Sequence, residues 1–399
     1  MLNKKGEREL AYVVIINDVT PIEGYDRVEL AHVDGWTVVV GKDEFHAGDP
    51  AVYFEIDSQL PEKEPFTSME FLAKKKFKVK TQKMCKSLSQ GLLMSAESLG
   101  WTKFQDGMYR PDGTEYRASD ESRFLTLVLG VTYAEPGDNA RKAAPADPYK
   151  IMAQRHPKVF SKPVIRRLMH YKWGRKLLLV FFGKKRNKRN WPAWVSRTDE
   201  ERIQNMTWIL ANKEPMVVTE KIDGTSTTFS LKRKAFGTEF YVCSRNVVFD
   251  KPDKKCFYDT NVYQEMAKKY DIEKKMKAMM KDLGVDWLTI QGETFGAGIQ
   301  SRNYGLEGHD FRAFNFVTPK EGRWGTTVAA EYLEKYGIPF VPILDTEYVL
   351  PDTIEQMLAY ADGKSTIDGE MREGVVIRSF NGKRSFKAVS NEYLLKHHS

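Results

Sequence analysis

Cysteine is scarce in this chain: Cys85, Cys243 and Cys256 are the only three among 399 residues, and no two of them have the close spacing of paired metal ligands. That scarcity excludes a disulfide-stapled secreted fold and a zinc ribbon, and it points to free thiols in a reducing compartment. Long apolar runs are missing too. Runs such as Leu177 to Phe182 are far too short to cross a bilayer, and Met1-Leu2-Asn3-Lys4-Lys5 opens no secretory signal, so a cytoplasmic location and no membrane partner are expected. No internal repeat is evident. Acidic residues are absent from one stretch: Lys150 to Thr198 holds fifteen Lys and Arg and no Asp or Glu. The net charge of +8 therefore resides there, because the remainder has 47 basic against 54 acidic residues. Such a block reads in three ways. It is a solvated connector, a polyanion-binding surface through Phe160, Tyr171, Trp173, Phe181, Phe182, Trp191 and Trp194, or a basic amphipathic helix on a membrane through Lys172 to Lys185.

What is present describes a globular chain, 41% hydrophobic and 29% charged, long enough for two domains around that block. Residues 1–145 read as short strands at Leu10–Ile16, Val28–Val33, Trp36–Val40, Ala51–Glu55, Phe77–Thr81 and Gly91–Ser95, with turns at Gly24, Asp34-Gly35, Ala47-Gly48-Asp49-Pro50 and Pro61. A five-stranded OB-type barrel that binds nucleic acid is the expectation, closed by a linker from Gly130 to Pro148. Residues 146–197 are expected to be a basic linker or helical insertion. Residues 198–399 mix strands with inserted helices, which favours an α+β class over a doubly wound sheet.

In that second half, Thr198-Asp199-Glu200-Glu201 reads as a capping box opening a helix to about Asn212, and further helices are expected at Val262–Leu283, Thr326–Tyr336 and Thr353–Tyr360. Strands are expected at Met216–Thr219, Thr227–Leu231, Phe240–Ser244, Trp287–Gly292, Phe311–Val317, Gly374–Arg378 and Ser385–Lys387. Lys221-Ile222-Asp223-Gly224 ends the first of these strands. A lysine amine there is a nucleophile when deprotonated, which needs a dry pocket or neighbouring positive charge; alone it reads equally as a solvated lysine beside a turn. Four clusters join it. Gly292-Glu293 places a carboxylate at a strand end among glycines, and Arg372-Glu373-Gly374-Val375-Val376-Ile377-Arg378 places a second before a buried strand. Lys383-Arg384-Ser385-Phe386-Lys387 adds positive charge, and Phe311-Arg312-Ala313-Phe314-Asn315-Phe316 alternates aromatics as a base-stacking wall or a core strand would.

In order and spacing these clusters resemble the covalent nucleotidyltransferase superfamily of DNA ligases, RNA ligases and mRNA capping enzymes, over roughly Thr198 to the C-terminus. Within it, the chain resembles ATP-dependent RNA ligases with an N-terminal OB domain. Ser226 stands five residues after Lys221, where DNA ligases usually carry arginine, and the twelve residues after Lys387 leave no room for a C-terminal OB domain. Thr198 to Asn205, Ser385 to Lys396 and Tyr53-Phe54-Glu55-Ile56-Asp57-Ser58 are similar to signatures of that family.

The resemblance implies an N-terminal OB barrel followed by a nucleotidyltransferase domain of antiparallel sheets with flanking helices. It implies that Lys221 attacks the α-phosphorus of ATP and holds AMP, which passes to an RNA 5′-phosphate before a 3′-hydroxyl displaces it. Asp223, Glu293 and Glu373 would hold Mg2+ or Mn2+ largely through its waters. Lys387 would neutralise the α-phosphate, Arg245 would contact the ribose or phosphates, and Phe314 would stack on adenine, with Phe311 and Phe316 as alternates. Glu220 and Ser226 complete the expected ATP-binding set, the Glu220 carbonyl reading the adenine amino group. The last motif commonly has lysines on both sides of one residue; the earlier of those positions is Ser385 here, leaving Lys383 or Arg384 to supply the charge. RNA, as a nicked duplex with RNA on the 3′-hydroxyl side, is the expected partner of a monomeric enzyme of RNA nick repair. A DNA-joining enzyme and a non-catalytic RNA-binding protein are the alternatives.

Overall fold

The computed structural model describes residues 1–134, 191–249 and 260–397, together with 162, 165, 167, 168, 171, 178, 256 and 258. All elements below belong to the unit formed by Met1–Tyr133 and Asn190–Ser399. Most of the basic stretch up to Asn190, most of its aromatics and the linker expected near Pro148 lie outside the described residues. No described helix is long and apolar enough to cross a membrane.

The N-terminal half is built from short antiparallel strands. Ala11–Ile15, Pro50–Phe54 and Leu92–Met94 form one three-stranded sheet, and Asp18–Ile22, Tyr25–Val33 and Trp36–Gly41 form another. Pro50–Phe54 is buried along its whole length because successive side chains enter two different cores. Val52 and Phe54 meet Ala11 and Val13 on one side, while Ala51 and Tyr53 meet Tyr12 and Val14 on the other. A strand covered on both faces reads as a continuous apolar run, which is what Ala-Val-Tyr-Phe is. Asp34-Gly35 makes the two-residue hairpin turn its sequence promised, with φ of 47° and 77°. Gly35 has a second duty, since a Cβ there would fall 2.1 Å from Ile354 Cγ2 in the C-terminal half.

One expected strand is displaced. Lys76 and Phe77 take left-handed φ values of 54° and 57°, so the expected Phe77–Thr81 strand is reduced to a bridge of Lys78 with Gln59, and the regular strand is Thr81–Met84, paired with Ser87–Gln90. Asp18–Ile22 and the meander Thr102–Phe104, Gly107–Tyr109 and Glu115–Arg117 were not anticipated. Most of their residues are partly or fully exposed, and the strands are only three to five residues long.

The C-terminal half is two five-stranded sheets. The first runs Glu201–Arg202, Ser385–Val389, Gly374–Arg378, Met216–Lys221 and Ile343–Tyr348; the second runs Thr238–Ser244, Thr225–Arg233, Trp287–Gly296, His309–Thr318 and Gly322–Arg323. Helix Ile354–Ala361 packs on the first sheet. Helices Val262–Lys269, Ile272–Leu283 and Thr326–Lys335 pack on the second. Lys221 ends a strand of one sheet and Thr225 begins a strand of the other, so the Lys221–Gly224 turn is the crossing between them.

Two local expectations are corrected. No α-helix follows Thr198. Thr198 Oγ1 bonds Ser226 Oγ at 3.0 Å, Asp199 accepts from Arg245 at 2.7 Å and Glu200 accepts from Arg378 at 2.9 Å. With those side chains engaged across the fold, Glu201–Arg202 pairs in parallel with Phe386–Lys387, and only 3-10 turns Ile203–Asn205 and Thr207–Ala211 follow. The expected single helix Val262–Leu283 is two, broken where Asp271 adopts φ 52° and ψ 36°, a left-handed conformation that Asp tolerates. The capping box that does form belongs to Thr353 and Gln356.

Candidate active site

Register places the chemistry. Lys221 pairs with Gly374, which puts Glu373 beside the lysine, and Val376 pairs with Lys387 on the next strand. On the second sheet Ser226 pairs with Glu293 and Glu293 with Arg312. The two sheets meet at Gly224, where a Cβ would lie 2.4 Å from Thr294 O and 2.9 Å from Glu293 Cγ. Gly224 is therefore required for close approach of the turn to Glu293, rather than for a left-handed backbone.

A cleft of about 360 Å3 opens at this crossing. Lys221, Glu220, Ser226, Arg245, Glu293, Phe314 and Lys387 all line it. Phe314 is partly exposed there, whereas Phe311 and Phe316 are fully buried in the core of the second sheet. Glu220 Oε2 accepts from the Thr366 amide and hydroxyl, both at 2.9 Å. A second groove, of about 540 Å3, reaches Lys221, Glu373 and Lys387 from the side of the barrel, past Lys75, Lys83 and Arg202.

Asp223 stands apart from the cleft lining. Its amide donates to Tyr304 Oη at 2.7 Å, and its Oδ2 accepts from Tyr393 Oη at 2.8 Å. Lys383 and Arg384 also fall outside both openings, in the exposed turn between strands Gly374–Arg378 and Ser385–Val389. Ser385 Oγ accepts from Arg378 Nε at 3.1 Å, and Arg378 Nη1 donates to the Phe314 carbonyl at 2.6 Å. At the serine the chain thus has a buried polar contact that orients the wall carrying Phe314.

The electrostatics centre on Lys221, whose side chain is 24% exposed and donates to Glu373 Oε1 at 2.6 Å. Burial works against its ammonium, but Glu373, Glu293 and Asp223 outweigh that and raise its pKa above the ordinary value. Burial pushes the Glu293 carboxyl up to about 8 against the pull of Lys221, with Glu373 and Asp223 adding to the rise. Burial also brings Lys387 down to about 8, helped by Arg202 and Lys221. Glu373 Oε2 is buried without a hydrogen-bond partner. An orphaned carboxylate oxygen beside a carboxyl forced toward neutrality is a donor set that a divalent cation suits. Among the described residues no three Asp, Glu, His or Cys side chains converge as direct ligands, which leaves room for water between these carboxylates and an ion.

Several contributors went unassigned in the sequence. Arg202 sits opposite Lys387 in the parallel pair, with its guanidinium 5.6 Å from the Trp36 ring of the barrel. Arg378 and Arg323 converge on Glu200 and, against its burial, hold its pKa below the usual value. Arg202 and Arg378 lay within quoted motifs, but nothing in their spacing marks them. Tyr304 carries no signal short of the fold, and Tyr393 lies within the Ser385 to Lys396 segment, where its spacing assigns it no role. Trp191 and Trp194, from the end of the basic stretch, pack against Tyr241, Cys243 and Val248.

Comparison with known proteins adds to this geometry. Residues 214–389 match the RNA ligase family model, and residues 10–96 match an OB-fold domain. No curated protein sequence matches the chain. Solved structures of a Naegleria gruberi RNA ligase are similar over nearly the whole length. The form with PPi is 29% identical with a TM-score of 0.63, covering 98% of this chain and 99% of the other. An apo Asp-to-Ala variant is 29% identical with a TM-score of 0.64, covering 98% of each chain. A Lys-to-Ala variant with ATP and Mn is 28% identical with a TM-score of 0.63, covering 98% and 99%.

Proposed function

We propose, from the premise that this chain belongs to the RNA ligase family with an N-terminal OB domain, that it joins RNA 3′-hydroxyl and 5′-phosphate ends at the expense of ATP, acting in nick repair. The observation that carries the reading is the half-buried Lys221 ammonium, 2.6 Å from Glu373 in a cleft that also holds Glu293, Lys387 and Phe314.

The residues divide the work. Phe314 presents its ring to adenine, and Arg245 and Lys387 meet the ribose and phosphates, positive charge placed where negative charge moves. Lys221 Nζ forms a bond to the α-phosphorus as the bond to pyrophosphate breaks, leaving a lysyl-AMP phosphoramidate. The RNA 5′-phosphate then takes AMP from Lys221, and attack by the 3′-hydroxyl on the phosphorus of that RNA 5′-phosphate forms the sealed phosphodiester as the bond to AMP breaks and AMP leaves. Glu373 Oε1 holds the Lys221 proton in the resting state, because the carboxylate field outweighs burial. Asp223, Glu293 and Glu373 would hold Mg2+ or Mn2+ through water, and such an ion supplies the charge that offsets this field, so that burial favours the neutral amine. The barrel and the basic stretch are assigned to gripping the polynucleotide.

Incubation with ATP labelled at the α-phosphate and a divalent metal is expected to leave label on the denatured protein, and Lys221→Ala is expected to leave none. Equal labelling of that variant would overturn the assignment. Nicked duplexes with RNA or DNA on the 3′-hydroxyl side test the substrate, and preference for DNA would replace RNA joining with DNA joining.

A further inference from the structure

The turn carrying Lys383 is not idle surface. It borders a groove of about 690 Å3, separate from both openings to Lys221, whose walls include Lys320, Arg323, Trp324, Val328, Phe380 and Lys383. Phe380 is 52% exposed and Val328 54%, and Trp324 is partly exposed on the same lining, so three apolar side chains share one groove. Lys320 and Lys383 are exposed and make no ion pair among the described residues, while Glu321 is the one acidic group on the lining. Helix Thr326–Lys335 begins at the groove with Gly325 as its N-cap and no side-chain cap, which adds a partial positive charge at the same place.

The groove adjoins the cleft through one side chain. Arg323 Nε donates to the Gly382 carbonyl at 3.0 Å in the turn, and its Nη1 donates to Glu200 Oε1 at 3.3 Å on the cleft wall. A strand engaged at the cleft therefore passes within one guanidinium of this groove.

Aromatic faces between unpaired lysines are the pattern that holds an unpaired polynucleotide, bases on the rings and phosphates on the cations. The volume suits one or two nucleotides. Building on the ligase reading above, we infer that this groove binds an unpaired stretch of the RNA substrate, with a base on Phe380 and Trp324 and the flanking phosphates on Lys320 and Lys383. The paired part of a nicked substrate does not enter this groove, since its bases are already stacked and offer the rings no face; an unpaired tail flanking the nick does.

The test uses the full chain and a fluorescently labelled single-stranded oligoribonucleotide, with binding followed by anisotropy over a range of salt. Phe380→Ala is expected to weaken binding about five-fold or more, the loss of one base stack. Lys320→Ala is expected to lower the slope of log K against log salt by about 0.7, one phosphate contact on a single strand. Both variants should label with ATP as the wild type does, because neither residue lies at the cleft. Wild-type affinity and salt slope in both variants would overturn the groove as an RNA site, as would their tighter or unaltered hold on RNA alongside lost affinity for an apolar peptide. Failure of the ligase reading would look different: the wild-type protein would take no label at all.

Discussion

Tyr393 donates its hydroxyl to Asp223 from the last helix, Asn391–His397, and Tyr304 receives the Asp223 amide, so the turn after Lys221 is held from two directions. Tyr393 is fully buried, and its hydroxyl bonds a charged acceptor, a contact worth about 1.5–3 kcal/mol. Tyr393→Phe is thus expected to slow lysine labelling by ATP about ten-fold, and a change under about two-fold in a single-turnover assay would count against the positioning role. Lys387 sets a pH dependence whose sign follows from its pKa of about 8. Below that pH it is an ammonium that attracts phosphate, and above it the charge is lost, so ATP affinity should fall between about pH 7 and 9. The fall should be absent in Lys387→Ala when ATP binding is titrated across that range. Lysine and the carboxylates at Glu293 and Glu373 were legible because motif order and spacing survive in the chain. Asp223 was legible as a carboxylate, but its orientation was not, since the tyrosines that set it come from 81 and 170 residues away.

Strands with strong apolar content were readable as elements, and the lost helix after Thr198 shows how polar side chains with distant partners defeat a local reading. Thr198-Asp199-Glu200-Glu201 has every local mark of a helix start, yet Ser226, Arg245 and Arg378 take its side chains. Local propensity amounts to a few tenths of a kcal/mol per residue, and several tertiary hydrogen bonds override it. The Asp34-Gly35 hairpin shows the reverse case, a local signal with a distant consequence. Gly35→Ala would add a Cβ at φ 77° and set it 2.1 Å from Ile354 Cγ2. Left-handed strain and overpacking together cost about 2–5 kcal/mol, so the thermal unfolding midpoint should drop by about 2 °C or more in calorimetry. A second element does similar work: the Thr81–Gln90 hairpin sends Lys83 Nζ to the Leu395 carbonyl at 3.0 Å, and Leu88 packs on Val389 and Leu394. The barrel thereby leans on the helix that supplies Tyr393.

At the scale of the whole chain, charge segregation is the main feature, since all of the positive excess falls between Lys150 and Thr198. Phosphate contacts from such a stretch act through counterion release. Removing residues 150–189 is therefore expected to leave ATP labelling of Lys221 intact while weakening sealing and flattening its salt dependence. Unchanged sealing at physiological salt, followed on a nicked duplex, would remove the stretch from substrate binding. Class, the order of the OB-type and ligase-type parts and the position of the Lys221 motif were legible from composition and motif spacing, because apolar periodicity and short-range turns are written residue by residue. Phe314 rather than Phe311 or Phe316 facing the cleft, the removal of Lys383 and Arg384 from it, and the convergence of Arg202 and Arg378 on the site were settled by strand register and the crossing of two sheets. Those depend on partners well separated in the sequence, from 64 residues for Arg378 and Phe314 to 178 for Arg378 and Glu200, and a linear pattern carries no record of which distant side chain will occupy a given space.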